Sequence, residues 1–204
     1  MINESGILTI NRKNLIYNYN FFKKLKKNLI VAPTIKADAY GLGDKKIFNI
    51  LLKERCKHFF VATLEEGLKL KNKNNLIKIY ILNGIQNYKL YNFYKSNLIP
   101  VINSIEEYAR IKNTDMNYAI HIDTGMNRLG IPLNQIHNIN IKDKNIKLII
   151  SHLSSSDEYK KSYNLKQQKY FDNFIKKVNK NVILSLSNTH GAILGKSFLY
   201  KKLY

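Results

Sequence analysis

The chain has 204 residues, 34 Lys+Arg against 14 Asp+Glu, a net charge of +20, three Pro, nine Gly and one Cys. That length supports one α/β domain with a substantial core, and the composition excludes a collagen-like or Pro-rich chain, a disulfide scaffold and a Cys-based zinc or iron–sulfur site. No apolar run approaches the ~20 residues that span a bilayer, and MINESGILTI lacks the basic-then-apolar pattern of a secretory leader, so a reducing, cytoplasmic setting is expected.

The elements follow in chain order. ILTIN (7–11) reads as a short strand and 11–27 as an amphipathic helix. LIVAPTIK (29–36) reads as the first buried strand, followed by a helix over 44–55. HFFVAT (58–63) leads into a helix over 64–73, with Thr63 as N-cap and Glu65 and Glu66 in its first turn. IKIYIL (77–82) and LIPVIN (98–103) are strands, and Ser104 with Glu107 has capping-box spacing before a helix over 104–113. YAIHID (118–123), IKLIISHL (146–153), a helix over 157–180 and VILSLSN (182–188) complete the pattern.

Near-continuous apolar strands alternating with helices indicate a parallel sheet covered by helices. An open doubly wound sheet and a (β/α)8 barrel both accommodate seven such strands. The first strand runs into KADAYGLG, with only Gly41 and Gly43, so the GxGxxG dinucleotide fingerprint is absent.

The positive charge does not by itself imply a nucleic-acid partner. Arg supplies only Arg12, Arg55, Arg110 and Arg128, while the Lys residues are scattered among Asn, Ile and Tyr. Nucleic-acid readers favour Arg for its bidentate geometry, and A/T-rich codons account for a Lys/Asn/Ile/Tyr bias. No nucleic-acid or membrane partner is expected, although a basic binder remains an alternative.

Polar residues gather at the C-terminal ends of the strands, where barrel active sites lie. A Lys36 desolvated at a strand end would be a nucleophilic amine; a Lys snorkelling to water is the competing reading. Tyr40 stands four residues on, as a second group at the mouth or as a packing aromatic. In HIDTGMNRLG (121–130), His121 and Asp123 share a strand face and Arg128 follows in a Gly-bounded loop. Arg128 suits an oxyanion or carboxylate, or else a salt bridge to Asp123. His152 suits ring stacking, acid–base work or a structural role. His121, His152 and Asp123 also admit a metal reading, but the segment lacks ligand-dense spacing, and no metal is expected. SNTHGAILG (187–195) offers small polar residues and a helix start, which suits a phosphate. An amine, a ring-stacking His, an Arg and a phosphate cradle at one end of a sheet describe a pyridoxal 5'-phosphate site.

At these residues the chain resembles the bacterial, pyridoxal-phosphate type of alanine racemase. The resemblance rests on KADAYGLG (36–43), VATLEEGLKL (61–70), IPVINSIEE (99–107), HIDTGMNRLGI (121–131), SHLSSSDE (151–158) and SLSNTHGAIL (185–194), in the family's order. It implies an incomplete TIM-type (β/α)8 barrel with about seven strands, residues 1–204 forming a single N-terminal barrel domain without the family's C-terminal β domain. It implies that Lys36 joins the cofactor as a Schiff base and serves as the catalytic base on one face of the substrate. By the same resemblance Tyr40 contacts the phosphate, Arg128 the cofactor's phenolic oxygen and His152 the pyridine ring, while Asn188 and Thr189 match the family's phosphate-binding Asn-Ser pair.

Three departures qualify what the resemblance implies. His121 stands where the family often has a carbamylated Lys beside the Arg, so Arg128 needs another anionic partner or chloride. Leu42 stands where a His is usual. The sequence stops at Tyr204, ahead of the family's eighth strand and of the β domain whose Tyr acts as second base across a dimer interface. The expectation is an unclosed, marginally stable barrel that self-associates as a homodimer or takes a complementing C-terminal half. Its expected substrate is alanine, with serine and lysine racemases sharing the motifs. Interconversion of L- and D-alanine supplying peptidoglycan is the leading function. A cofactor-binding protein without racemase activity, or an inactive split-gene remnant, is the alternative.

Overall fold

Period-two burial along the strands sets the architecture. In the computed structural model, which describes residues 6–70, 74–158, 162–178 and 181–200, the chain runs α1 (Arg12–Lys24), α2 (Lys36–Tyr40), α3 (Asp44–Lys53), β1 (His58–Val61), α4 (Leu64–Lys69), β2 (Lys78–Ile81), α5 (Leu90–Ser96) and β3 (Ile99–Ile102). It continues through α6 (Ile105–Ile111), β4 (Tyr118–Asp123), β5 (Ile131–Pro132), β6 (Ile146–Ile150), α7 (Ser162–Ile175), β7 (Ile183–Ser185) and α8 (Thr189–Leu194). The strands form one parallel path, β1-β2-β3-β4-β6-β7, with the two-residue β5 beside β4. No described helix is long and apolar enough to cross a membrane.

Successive strand residues point to opposite faces, so each strand serves two cores. Phe60, Tyr80, Ile99, Val101, Ala119, Leu148 and Ile150 pack together on the inner face. Phe59, Val61, Ile79, Ile81, Ile102, Ile120, Ile122 and Ile149 face the helices. Continuing the inner alternation brings His121 after Ala119 within β4 and, just past the strand ends, Asn103 after Val101 and His152 after Ile150. The same parity that fills the barrel therefore delivers polar side chains to its C-terminal mouth.

The helix caps follow the local chemistry. Thr63 and Glu66 form a reciprocal capping box on α4. Ser104 caps α6 by accepting from the Glu107 N–H at 3.2 Å. Glu107 does not close the box, because its carboxylate accepts from the N–H groups of Asn103, Ile85 and Gln86. Asn11 caps α1 at 3.1 Å from the Asn14 nitrogen.

Three expectations need correction, and one helix is additional to them. The 29–36 segment is not a regular strand: it pairs with β1 only through Thr34 opposite Phe60. The Ile35 N–H donates to the Phe60 carbonyl at 2.8 Å and the Phe60 N–H to the Pro33 carbonyl at 2.9 Å. Pro33 has no N–H with which to extend the ladder. Residues 7–10 form no strand: Ile7 and Leu8 are 91% and 64% exposed, and of the apolar residues there only Ile10 packs against the core. Helix α5 arises in a stretch without a full apolar stripe, anchored by the buried Phe93. Within 157–180 the described helix is confined to Ser162–Ile175; residues 159–161 and 179–180, like 71–73 of the 64–73 helix, lie outside the described residues.

Candidate active site

The first site element is a backbone anomaly. Residues Ala37, Asp38, Ala39 and Tyr40 all have positive φ, between 49° and 57°, so Lys36–Tyr40 forms a left-handed helical turn. L-residues disfavour this region by roughly 1–2 kcal/mol each and rarely visit it in succession. Side-chain acceptors hold the turn. Glu66 Oε1 takes the Ala37 N–H at 2.8 Å, and Glu66 Oε2 takes the Ala62 N–H at 2.7 Å. Asp38 Oδ1 takes the Asp44 N–H at 2.8 Å. Ile35 and Ala39 are buried at either end. The turn thus fixes where Lys36 leaves the barrel rim.

Lys36, Tyr40, His121, Arg128, His152, Asn188 and Thr189 line one cavity of about 840 Å³, floored by Phe60, Ile150 and Ser185. Lys36 is half-buried, with its Nζ 6.0 Å from the centre of the Tyr40 ring. Tyr40 is 64% exposed; the buried share of its ring pushes the phenol up, and Arg128 opposes that. Asn188 and Thr189 form the start of α8. Asn188 Oδ1 accepts from the Gly191 N–H at 2.9 Å and the Ser156 hydroxyl at 2.7 Å. The first-turn N–H groups have no carbonyl within the helix to receive them.

The loop after β4 resolves the competing readings of Arg128. Asp123 Oδ1 accepts from the N–H groups of Gly125 and Met126, both at 2.9 Å, and Asp123 Oδ2 from that of Asn127 at 3.1 Å. The Asp123 carboxylate therefore shapes the loop. Among the described residues, Arg128 has neither an ion pair nor a hydrogen bond, and its guanidinium is free to face the cavity.

Burial holds the site histidines neutral. The His121 pKa is pushed down to about 4, first by burial, then by His152 and Arg128 against the opposing pull of Asp123. His152 is pushed down to about 4 by burial, then by Arg128 and Lys36. His58, at the far end of the barrel, reaches about 4 through burial and then Lys78 and Lys57. The hydrogen-bond network assigns the His152 tautomer. Because Asn188 Oδ1 is committed to donors, its Nδ2 faces His152 Nε2 at 3.4 Å, so Nε2 accepts and Nδ1 carries the proton. Among the described residues no group of three or more His, Cys, Asp or Glu stands at metal-binding range.

These shifts make acid the weak side of the fold. The unfolded chain binds protons on these histidines below about pH 6.5, whereas the folded chain resists until about pH 4. Stability is therefore whole above pH 6.5 and is lost as the pH falls through that window, by roughly 3 kcal/mol for each histidine considered alone. Urea midpoints measured from pH 7.5 to 4.5 should fall steeply below 6.5; a flat profile would contradict this.

Two site residues escape motif reading. Glu66 is visible in sequence as a cap, but not as the anchor of the Lys36 turn. Asn103 reaches His121 Nδ1 through its Oδ1 at 3.0 Å, and only the alternation 99, 101, 103 along β3 hints at it.

Comparison with known proteins identifies the family. The family model described as alanine racemase, N-terminal domain, matches residues 10–201. The alanine racemase of Rickettsia canadensis is 34% identical over 203 residues, covering 94% of this chain and 57% of that protein. That of Rickettsia bellii is 37% identical over 184 residues, covering 84% and 45%. Among solved structures, Bartonella henselae alanine racemase with covalently bound pyridoxal phosphate matches at TM-score 0.86 and 29% identity, covering 95% of this chain and 60% of that one. The biosynthetic alanine racemase of Pseudomonas aeruginosa shares the fold at TM-score 0.79 and 22% identity. The chain spans about half the length of these curated relatives. The barrel of parallel strands, its polar mouth and the match over 10–201 place the chain in the alanine racemase N-terminal domain family.

Proposed function

We propose that this chain is the cofactor-bearing barrel of a pyridoxal-phosphate-dependent alanine racemase. The observation that carries the reading is the convergence of Lys36, Arg128, His152 and the Asn188–Thr189 helix start on one cavity. The donor set fits the group. The α8 start and Tyr40 suit a phosphate, a neutral His152 ring suits stacking on a pyridine, and Arg128 suits a phenolic oxygen. When bound, pyridoxal phosphate supplies the electron sink for the charge left as the α-proton departs.

The chain's own residues do the rest. The left-handed turn holds the Lys36 amine at the rim, where it takes and returns a proton on one face of the substrate α-carbon. Arg128 opposes negative charge on the ring oxygen. His121 and His152, neutral at pH 7, add no positive charge beside the amine. The reading treats residues 1–204 as one barrel domain. It includes association as a homodimer or with a complementing C-terminal half. With this reading go alanine as substrate, D-alanine for peptidoglycan and a cytoplasmic setting.

A second reading is a cofactor-binding protein without racemase activity. Deuterium incorporation separates them. L-alanine or D-alanine incubated in D2O with the chain and pyridoxal phosphate should acquire deuterium at Cα, one enantiomer faster than either inverts. Cofactor bound at Lys36 with no deuterium in either enantiomer would support the second reading and sink the first.

A further inference from the structure

Asn103 is held at both ends. Its backbone N–H donates to Glu107 Oε2 at 2.9 Å, and its Nδ2 donates to the carbonyls of Leu82 and Val101 at 2.9 and 2.8 Å. Two carbonyl acceptors fix which end of the amide is nitrogen, because only the NH2 group can donate to them. The Oδ1 that meets His121 Nδ1 at 3.0 Å is therefore an acceptor, and Nδ1 must carry the proton.

The rest of the imidazole is equally constrained. Gly130, at φ +107°, lies against the ring; a Cβ there would stand 3.0 Å from His121 Cδ2 and 2.9 Å from the Asp123 nitrogen. Among the described residues, the sealed side-chain polar atom without a partner is Asn164 Oδ1, so the unpaired His121 Nε2 opens onto the cavity. Asp123, Arg128 and His152 are the charged or titratable groups around the ring. Asp123 is turned onto its own loop, and His152 Nε2 faces Asn188. Arg128 is the cation that acts on the ring through space.

We propose that Asn103 is a positioning residue that locks His121 in the Nδ1–H tautomer and leaves its Nε2 lone pair facing the cavity as an acceptor for a ligand donor, beside the Arg128 guanidinium. A neutral imidazole there leaves the charge of Arg128 uncancelled for an anionic ligand atom. The chain Glu107–Asn103–His121 then ties the loop after β2 to the cavity. The inference rests on the proposed function only where that ligand atom is a cofactor oxygen; the tautomer stands without it.

The test is nitrogen NMR of the full chain labelled at histidine, with no cofactor added. At pH 7.5 the wild-type His121 should show a protonated Nδ1 and a bare Nε2. Dominance of the Nε2–H form overturns the proposal. Asn103→Ala should release the lock and populate the Nε2–H form, and an unchanged spectrum from the folded variant overturns it. Should that variant fail to fold, Arg128→Gln supplies a second measurement. Removing the cation should raise the His121 titration midpoint by about half a unit, and no rise shows that Arg128 does not face the ring. If these results hold but the chain does not condense with pyridoxal phosphate, the functional reading fails and the positioning role survives.

Discussion

Lys36→Ala is expected to abolish the visible absorbance that appears when pyridoxal phosphate is added, while leaving the melting temperature nearly unchanged. The two halves have separate causes. A Schiff base needs a neutral amine nucleophile at the cavity rim, and Lys36 is the lysine that lines the cavity. The fold does not depend on that amine: Lys36 is half-buried, its φ is ordinary, and among the described residues its Nζ makes no hydrogen bond or ion pair and stands 6.0 Å from the centre of the Tyr40 ring. An exposed-side truncation of this kind shifts stability by less than about 1 kcal/mol. Lys36→Arg separates charge from nucleophilicity, because a guanidinium keeps the cation but stays protonated and cannot condense. It too should lose the band. Borohydride reduction followed by peptide mapping closes the case, with the adduct on the Lys36 peptide and not on the many surface lysines. A band that survives in Lys36→Ala removes the assignment.

What the sequence made legible was governed by periodicity and by short-range chemistry. Six of the seven buried strand segments, ILTIN (7–11) apart, form in the expected places because alternating β-branched residues must bury two faces. The Thr63 cap was readable because its partner lies three residues away. The segment 29–36 misleads because its apolar content is that of a strand, while Pro33 removes the donor a ladder needs. The left-handed turn at 37–40 was not readable at all. Ala, Asp, Ala and Tyr carry no Gly to announce positive φ, and the acceptor that sustains it, Glu66, lies 29 residues away. Asn103 was missed for the same reason: its partner His121 is 18 positions on. Motif resemblance gathers Lys36, Arg128 and His152 into one site, but the supports behind them are long-range hydrogen bonds, which leave no local pattern.

Those supports carry the second large effect. Glu66→Ala is expected to destabilise the chain by roughly 2–4 kcal/mol, from the loss of two charge-assisted hydrogen bonds to backbone N–H groups. The acceptors lost are those of Ala37 and Ala62, and the α4 capping box goes with them. At this chain length the corresponding fall in melting temperature is about 5–15 °C. The consequence for the site is sharper than the stability change suggests. Four consecutive left-handed residues stand against a preference of roughly 1–2 kcal/mol each, and once the Ala37 N–H loses its acceptor the turn is free to relax toward right-handed geometry. Lys36 then moves with the backbone that carries it. Cofactor condensation should weaken even at temperatures where Glu66→Ala remains folded, a loss that a purely global destabilisation does not produce. Glu66→Gln, which keeps one acceptor oxygen, should fall between wild type and alanine in both measurements. A Glu66→Ala protein that melts early yet condenses with the cofactor as wild type does would show that the turn holds its handedness without this carboxylate, and that the buried Ile35 and Ala39 are sufficient anchors.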